Sequence, residues 1–123
     1  MSLIAVVTTL ASREQALAMA RALVERRLVA CAQIAPIASV YRWQGEVQQE
    51  EEFRLLLKTR EALYPDVERV ILAMHSYELP ALHTVRLDHV HAAYGEWLRA
   101  ATEAQGEDPG AKSEGPDPFS CAV

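Results

Sequence analysis

Residues 37–59 constrain the fold more than any other stretch. "IASVYRW" runs into Gly45 and returns as "EVQQEEEFRLLLKT". The first half is rich in small, β-branched and aromatic residues, and the glycine marks a turn. The pair reads as a β-hairpin with strands of roughly ten residues, about 33 Å long at about 3.3 Å per residue. Ordinary strands are about half that length. Such a hairpin must project beyond a small domain, yet its far end still carries Tyr41, Trp43 and Val47. Exposed apolar side chains beside bare strand edges invite association. The expectation is an oligomer arm whose aromatics pack on a neighbouring subunit, while Glu50, Glu51 and Glu52 keep the other side soluble.

The flanking chain alternates strands and helices. "LIAVVTTL" (Leu3 to Leu10) reads as a buried strand. Ser12 followed by Gln15 is a capping-box pattern, and Leu17, Ala20, Leu23, Val24 and Leu28 recur at helical spacing, which predicts a helix over 12–28. Residues 29–43 are a strand in which Pro36 marks a bulge or an edge. On the return strand, 46–60, Val47, Phe53, Leu55 and Leu57 share one parity, and Glu50, Glu52, Arg54 and Lys58 share the other. "YPDVERVILAMHSY" is a helix with Pro65 in its first turn. "LHTVRLDHV" alternates as a strand over 82–90, and "HAAYGEWLRAATEA" is a third helix carrying Tyr94, Trp97, Leu98 and Ala101. The order β-α-β-β-α-β-α predicts an α+β fold, a ferredoxin-like split β-α-β sandwich with a long central hairpin and an extra C-terminal helix.

The chain has 123 residues, half of them hydrophobic, and one domain is expected over 1–105. Residues 106–123 are glycine, proline and acid and are expected to be a disordered tail. The net charge is −5, and the tail carries −3 of it, with Glu107, Asp108, Glu114 and Asp117 against Lys112. An acidic balance argues against nucleic-acid binding. No signal peptide and no membrane-length apolar run are visible, so the cytoplasm is the expected compartment. Two cysteines, Cys31 and Cys121, are too few for a disulfide scaffold. No nucleophile–base motif, phosphate loop or Rossmann fingerprint is present, so no enzyme and no organic cofactor are expected.

"LVERRLVACAQI", "SVYRWQGEV", "LLLKT", "HSYELP" and "YGEWL" follow in this order and spacing. Together they resemble the divalent-cation tolerance (CutA) family over roughly residues 3–103. The resemblance implies a compact homotrimer whose long hairpins join neighbouring sheets. It also implies tolerance to copper and other divalent metals, and metal binding. PII-type signalling trimers share the fold but carry a long loop where this chain has a tight turn at Gly45.

The resemblance assigns Cys31 and His75 as metal ligands, for copper, zinc or another divalent ion. Glu52 and Met74 are weaker candidates that would help complete the site. Thr8 and Met74 stand where some members carry a further cysteine and histidine. Ser76 and Ala81 depart from a usual proline and glutamate. By residue type alone, Cys31 also reads as a small buried hydrophobe and His75 as a helix C-terminal imidazole. Tyr41, Trp43, Val47 and Trp97 are expected at the trimer interface. His83, His89 and His91 could form a surface stripe, and Glu50, Glu52, Arg54 and Lys58 could pair between subunits. Phe119 and Cys121 offer a docking tip for a protein partner. The functional expectation is a small metal-binding trimer that responds to metal ions; the alternative is a structural or PII-like signalling trimer acting through protein contacts.

Overall fold

The computed structural model describes residues 2–103. The elements follow as β1 (Leu3–Leu10), α1 (Arg13–Glu25), β2 (Cys31–Trp43), β3 (Glu46–Arg60), a 3₁₀ turn (Glu61–Leu63), α2 (Tyr64–Met74), β4 (Leu82–Arg86) and α3 (Ala92–Ala101). They form one antiparallel sheet in the order β2-β3-β1-β4, the split β-α-β arrangement expected from the sequence. The tail over 106–123, with Phe119 and Cys121, lies outside the described residues.

Strand parity decides which side chains meet the helices. Ile4, Val6, Thr8 and Leu10 stand beside Thr59, Leu57, Leu55 and Phe53 on one face. There they pack with Ala16, Met19, Ala20 and Leu23 of α1 and Val67 and Ile71 of α2. Burial of such side chains contributes about 1.5–3 kcal/mol each. The other face carries Cys31, Lys58, Ala5 and Val85 in one row across the sheet. α3 covers that end: Tyr94 lies beside Lys58, and Arg60 donates to the side chain and carbonyl of Thr102 at 2.9 and 2.8 Å.

The hairpin is longer than the sequence reading gave. β2 pairs with β3 without a break from Cys31↔Lys58 to Trp43↔Glu46. β1 reaches only to Leu10↔Phe53. The stretch of β3 from Glu46 to Glu52 therefore pairs with β2 alone, a projection of roughly 23 Å. Pro36 sits in the edge strand opposite Phe53 with no bulge, so the edge reading holds. The reversal at Gln44 (φ 53°) and Gly45 (φ 84°) is a two-residue turn with both residues left-handed. This is the turn type whose twist matches that of the strands.

Ser12 accepts from the Gln15 amide at 3.1 Å, the cap expected for α1. The helix stops at Glu25 rather than 28. Arg27 turns left-handed (φ 61°), its amide returns to Val24 O, and the Leu28 amide returns to Leu23 O at 3.0 Å. That is the Schellman closure, with arginine where glycine is usual. The Arg27 guanidinium reaches Ala101 O at 3.3 Å, so its side chain also caps α3. β4 is shorter than expected because β1 gives it a partner only from Ile4↔Arg86 to Thr8↔Leu82. His89 and His91 fall beyond the strand, so the proposed histidine stripe with His83 does not form.

The turn predicts two opposite effects. Gln44→Asn installs the residue that best tolerates the first left-handed position and should raise the unfolding midpoint. Gly45→Ala meets no atom within 4 Å but must hold φ 84°, and should lower stability by about 1–2 kcal/mol. Denaturant unfolding of the two variants measures both.

Candidate functional site

The end of α2 and the segment after it carry the densest polar network around a candidate residue. His75 terminates α2 in extended conformation (φ −78°, ψ 139°), which turns the chain back toward the sheet. The Tyr77 amide donates to His75 Nδ1 at 3.2 Å. That fixes Nδ1 as acceptor and places the ring proton on Nε2 in the neutral imidazole. Nε2 then donates to Thr9 O at 2.8 Å, with Thr8 Oγ1 at 3.3 Å. Thr8 directs its own proton to Ala81 O at 2.7 Å. Both ring nitrogens are thus engaged, and metal ligation by either requires one of these bonds to open.

Tyr77 continues the chain of contacts. Its ring lies 4.9 Å from that of His75, and its hydroxyl donates to Glu52 Oε2 at 2.7 Å. Glu52 follows the solvated parity in sequence, yet it is only 7% exposed, because it lies just past the end of β1 where Tyr77 closes over it. On the same face, the Tyr41 hydroxyl donates to Glu50 Oε1 at 2.8 Å. The Tyr77 phenol is pushed well above its ordinary value of 10.0, first by burial and then by the Glu52 carboxylate. Tyr41 is raised chiefly by its hydrogen bond to Glu50.

The structure brings His75, Tyr77 and Glu52 together and leaves Cys31 apart. Cys31 is in no disulfide among the described residues and is 1% exposed, on the α3 side of the sheet in the row of Lys58 and Ala5. His75 meets the chain at Thr8 and Thr9, about 10–13 Å further along β1. Cys31 and His75 therefore do not converge within one chain. Met74 is exposed at the last position of α2. Among the described residues, no three His, Cys, Asp or Glu side chains meet in a way that could hold a metal ion. Among the same residues, no salt bridge joins Glu50 or Glu52 to Arg54 or Lys58. Lys58 lies instead 5.4 Å from the Tyr94 ring centroid, and Tyr94 stacks on Trp97. Sequence reasoning missed Tyr77 and Thr8. The signal was the two-residue spacing of histidine and tyrosine after a helix end, which lets a backbone amide reach back to the ring.

A small ferredoxin-like sandwich with an overlong central hairpin and a polar network at the end of the second helix is a narrow structural class. The chain belongs to the family described as CutA1 divalent ion tolerance protein, whose model matches residues 4–101. The divalent-cation tolerance protein CutA of Thermus thermophilus is 40% identical over 98 residues, covering 79% of this chain and 95% of that protein. A solved structure of the Thermus protein superposes with a TM-score of 0.79 at 38% identity, over 82% of this chain and 99% of that one. The Archaeoglobus fulgidus structure, described as a periplasmic divalent cation tolerance protein, gives a TM-score of 0.81 at 30% identity, over 82% of this chain and 99% of that one.

The raised Tyr77 phenol has a defined consequence. The folded chain keeps that proton where the unfolded chain loses it, so the folded state binds more protons above about pH 10 and stability falls as pH rises through that range. Tyr77→Phe should flatten this alkaline decline. At neutral pH it should cost about 1–3 kcal/mol, because Glu52 loses its donor. Urea midpoints followed from neutral pH to above about pH 10 read both effects.

Proposed function

We propose that this chain is a non-enzymatic, cytoplasmic homotrimer that binds copper or another divalent metal ion and takes part in the response to metal ions. The observation that carries the reading is the hairpin. Val40 and Val47 are 66% and 64% exposed, and they stand on the opposite face of the projecting strands from Tyr41 and Trp43. Apolar side chains on both faces of a two-stranded ribbon call for cover on both faces. A neighbouring copy on each side supplies it, which favours a closed ring over a dimer with one interface.

The metal reading draws its support from the family and from where the candidate ligands lie. Cys31 and Glu52 occupy the sheet face turned away from α1 and α2. Six residues of strand, about 20 Å, separate them, so within one chain each supplies a single ligand, fewer than a closed copper or zinc site uses. A site that includes the Cys31 thiolate is therefore completed by side chains of another subunit, which ties metal uptake to assembly. A cytoplasmic setting keeps such a thiol reduced. The alternative role as a structural or PII-like signalling trimer draws on the same hairpin surface but gives the ligands no work.

Two measurements test this. Native mass spectrometry of untagged protein with reduced copper should give a trimer carrying a fixed number of ions per three chains. Cys31→Ala and His75→Ala should lower that number while keeping the trimer, and unchanged uptake in both removes them as ligands. Val47→Glu should shift sedimentation toward monomer, and an intact trimer in that variant rejects the hairpin as the assembly arm.

A further inference from the structure

We propose that the groove where α1 and α3 end is the docking site of this chain's own acidic C-terminal segment, with Phe119 as the anchor. The inference is independent of the metal reading. It also lies outside the family match, which stops at residue 101.

The groove is built from both helix ends. Val24, Arg27, Val29, Ala30, Trp97 and Ala101 line an open space of about 360 Å³. Val29 and Ala30 are buried at its floor, whereas Val24 is 39% exposed and Trp97 is half-buried. Trp97 stacks on Tyr94 and still presents apolar surface here. The space is that of a small ligand pocket, with room for one bulky side chain.

The chain leads away from this groove. Ala101 lines it, and the described residues end two positions later at Glu103. Residues 104–123 follow, and Phe119 is the one aromatic among them. A coil of the length from 104 to 119 spans roughly 20–24 Å on average. Trp97 stands about 9 Å back from Glu103 at the helical rise. A tether slightly longer than the distance it must cover holds its end at a local concentration in the millimolar range. One ring in one apolar groove is then enough for occupancy.

Charge points the same way. The segment over 106–123 carries −3. Near the groove the acids are already matched: Arg21 holds Glu25 at 3.1 Å and Arg99 holds Glu103 at 3.6 Å. Arg26, between the lining residues Glu25 and Arg27, is exposed and meets no carboxylate among the described residues. An unmatched cation beside an apolar groove draws in an acidic segment and sets its direction, while the ring fixes its position. A second copy is the competing occupant. The projecting ribbon, however, lies at the far end of β3 from Thr102, so Trp97 is covered by its own chain and assembly stays with the hairpin.

The test uses the full-length protein carrying 5-fluorotryptophan, which gives one fluorine resonance each for Trp43 and Trp97. Phe119→Asp should move the Trp97 resonance and leave that of Trp43 in place. Docking should also shield the segment from chymotrypsin, whose cleavage after Phe119 follows the undocked population. Val24→Glu, which sets a carboxylate in the groove, should speed that cleavage about tenfold. Arg26→Glu, at an exposed position, should speed it too, and it decides the matter if Val24→Glu does not fold. An unmoved Trp97 resonance in Phe119→Asp overturns the proposal. So does wild-type cleavage in Arg26→Glu and in folded Val24→Glu. A Trp97 resonance that ignores Phe119→Asp but shifts in Val47→Glu assigns the groove to a second copy and likewise overturns it.

Discussion

The unbroken pairing of β3 with β2 sets everything else in the chain. A strand side chain has two faces to choose from, and a slip of one residue exchanges them all. The left-handed pair Gln44 and Gly45 closes the hairpin with Trp43 opposite Glu46, and from there the register runs without a bulge to Cys31 opposite Lys58. That register sends Leu55, Leu57 and Thr59 under α1 and α2. It sends Glu50, Glu52, Lys58 and Arg60 to the other side. With the opposite parity the carboxylates would enter the apolar core and the leucines would face the third helix. β1 then adds to the inner half of β3 only, and the difference in strand length creates both the projecting ribbon and the niche at Glu52.

Much of this architecture is legible in the sequence because local chemistry and tertiary packing agree. Leu3–Leu10, the Ser12 cap, the turn at Gly45 and the helices around Ile71 and Leu98 each announce themselves by period or punctuation. The departures have physical causes that lie outside any local window. Leu28 has the right spacing for α1, but Arg27 adopts the left-handed backbone and releases it, held there with a guanidinium that reaches α3, 74 residues further along the chain. The segment after Arg86 alternates as a strand would, but its pairing with β1 ends in a single bond from the Leu87 amide to Leu3 O at 2.9 Å, where β1 itself begins.

The candidate site was less legible, because its meaning depends on contacts between distant segments. Cys31 and His75 were visible by residue type and by family resemblance, while nothing in one dimension shows that Cys31 stands in the sheet row of Ala5 and that His75, at the end of α2, meets β1 at Thr8 and Thr9. Glu52 looked like a solvated charge by parity, and its burial depends on Tyr77 arriving from beyond α2. The histidine illustrates the same limit. Its two nitrogens look open in the sequence, but the Tyr77 amide and the Thr9 carbonyl occupy them, so ligation of a metal has to displace one of these bonds.

The third helix ends under two arginines, Arg60 on Thr102 and Arg27 on Ala101, which fasten its last carbonyls to the base of the sheet. β3 runs from that base to the hairpin tip, so Thr102 and Gly45 lie close to 50 Å apart at about 3.3 Å per residue. The two ends of the molecule are mechanically separate addresses. A dye, an affinity handle or a second protein joined after residue 103 sits on a clamped platform, remote from the ribbon and from the glutamate niche. Either end can be loaded while the other is left free to work.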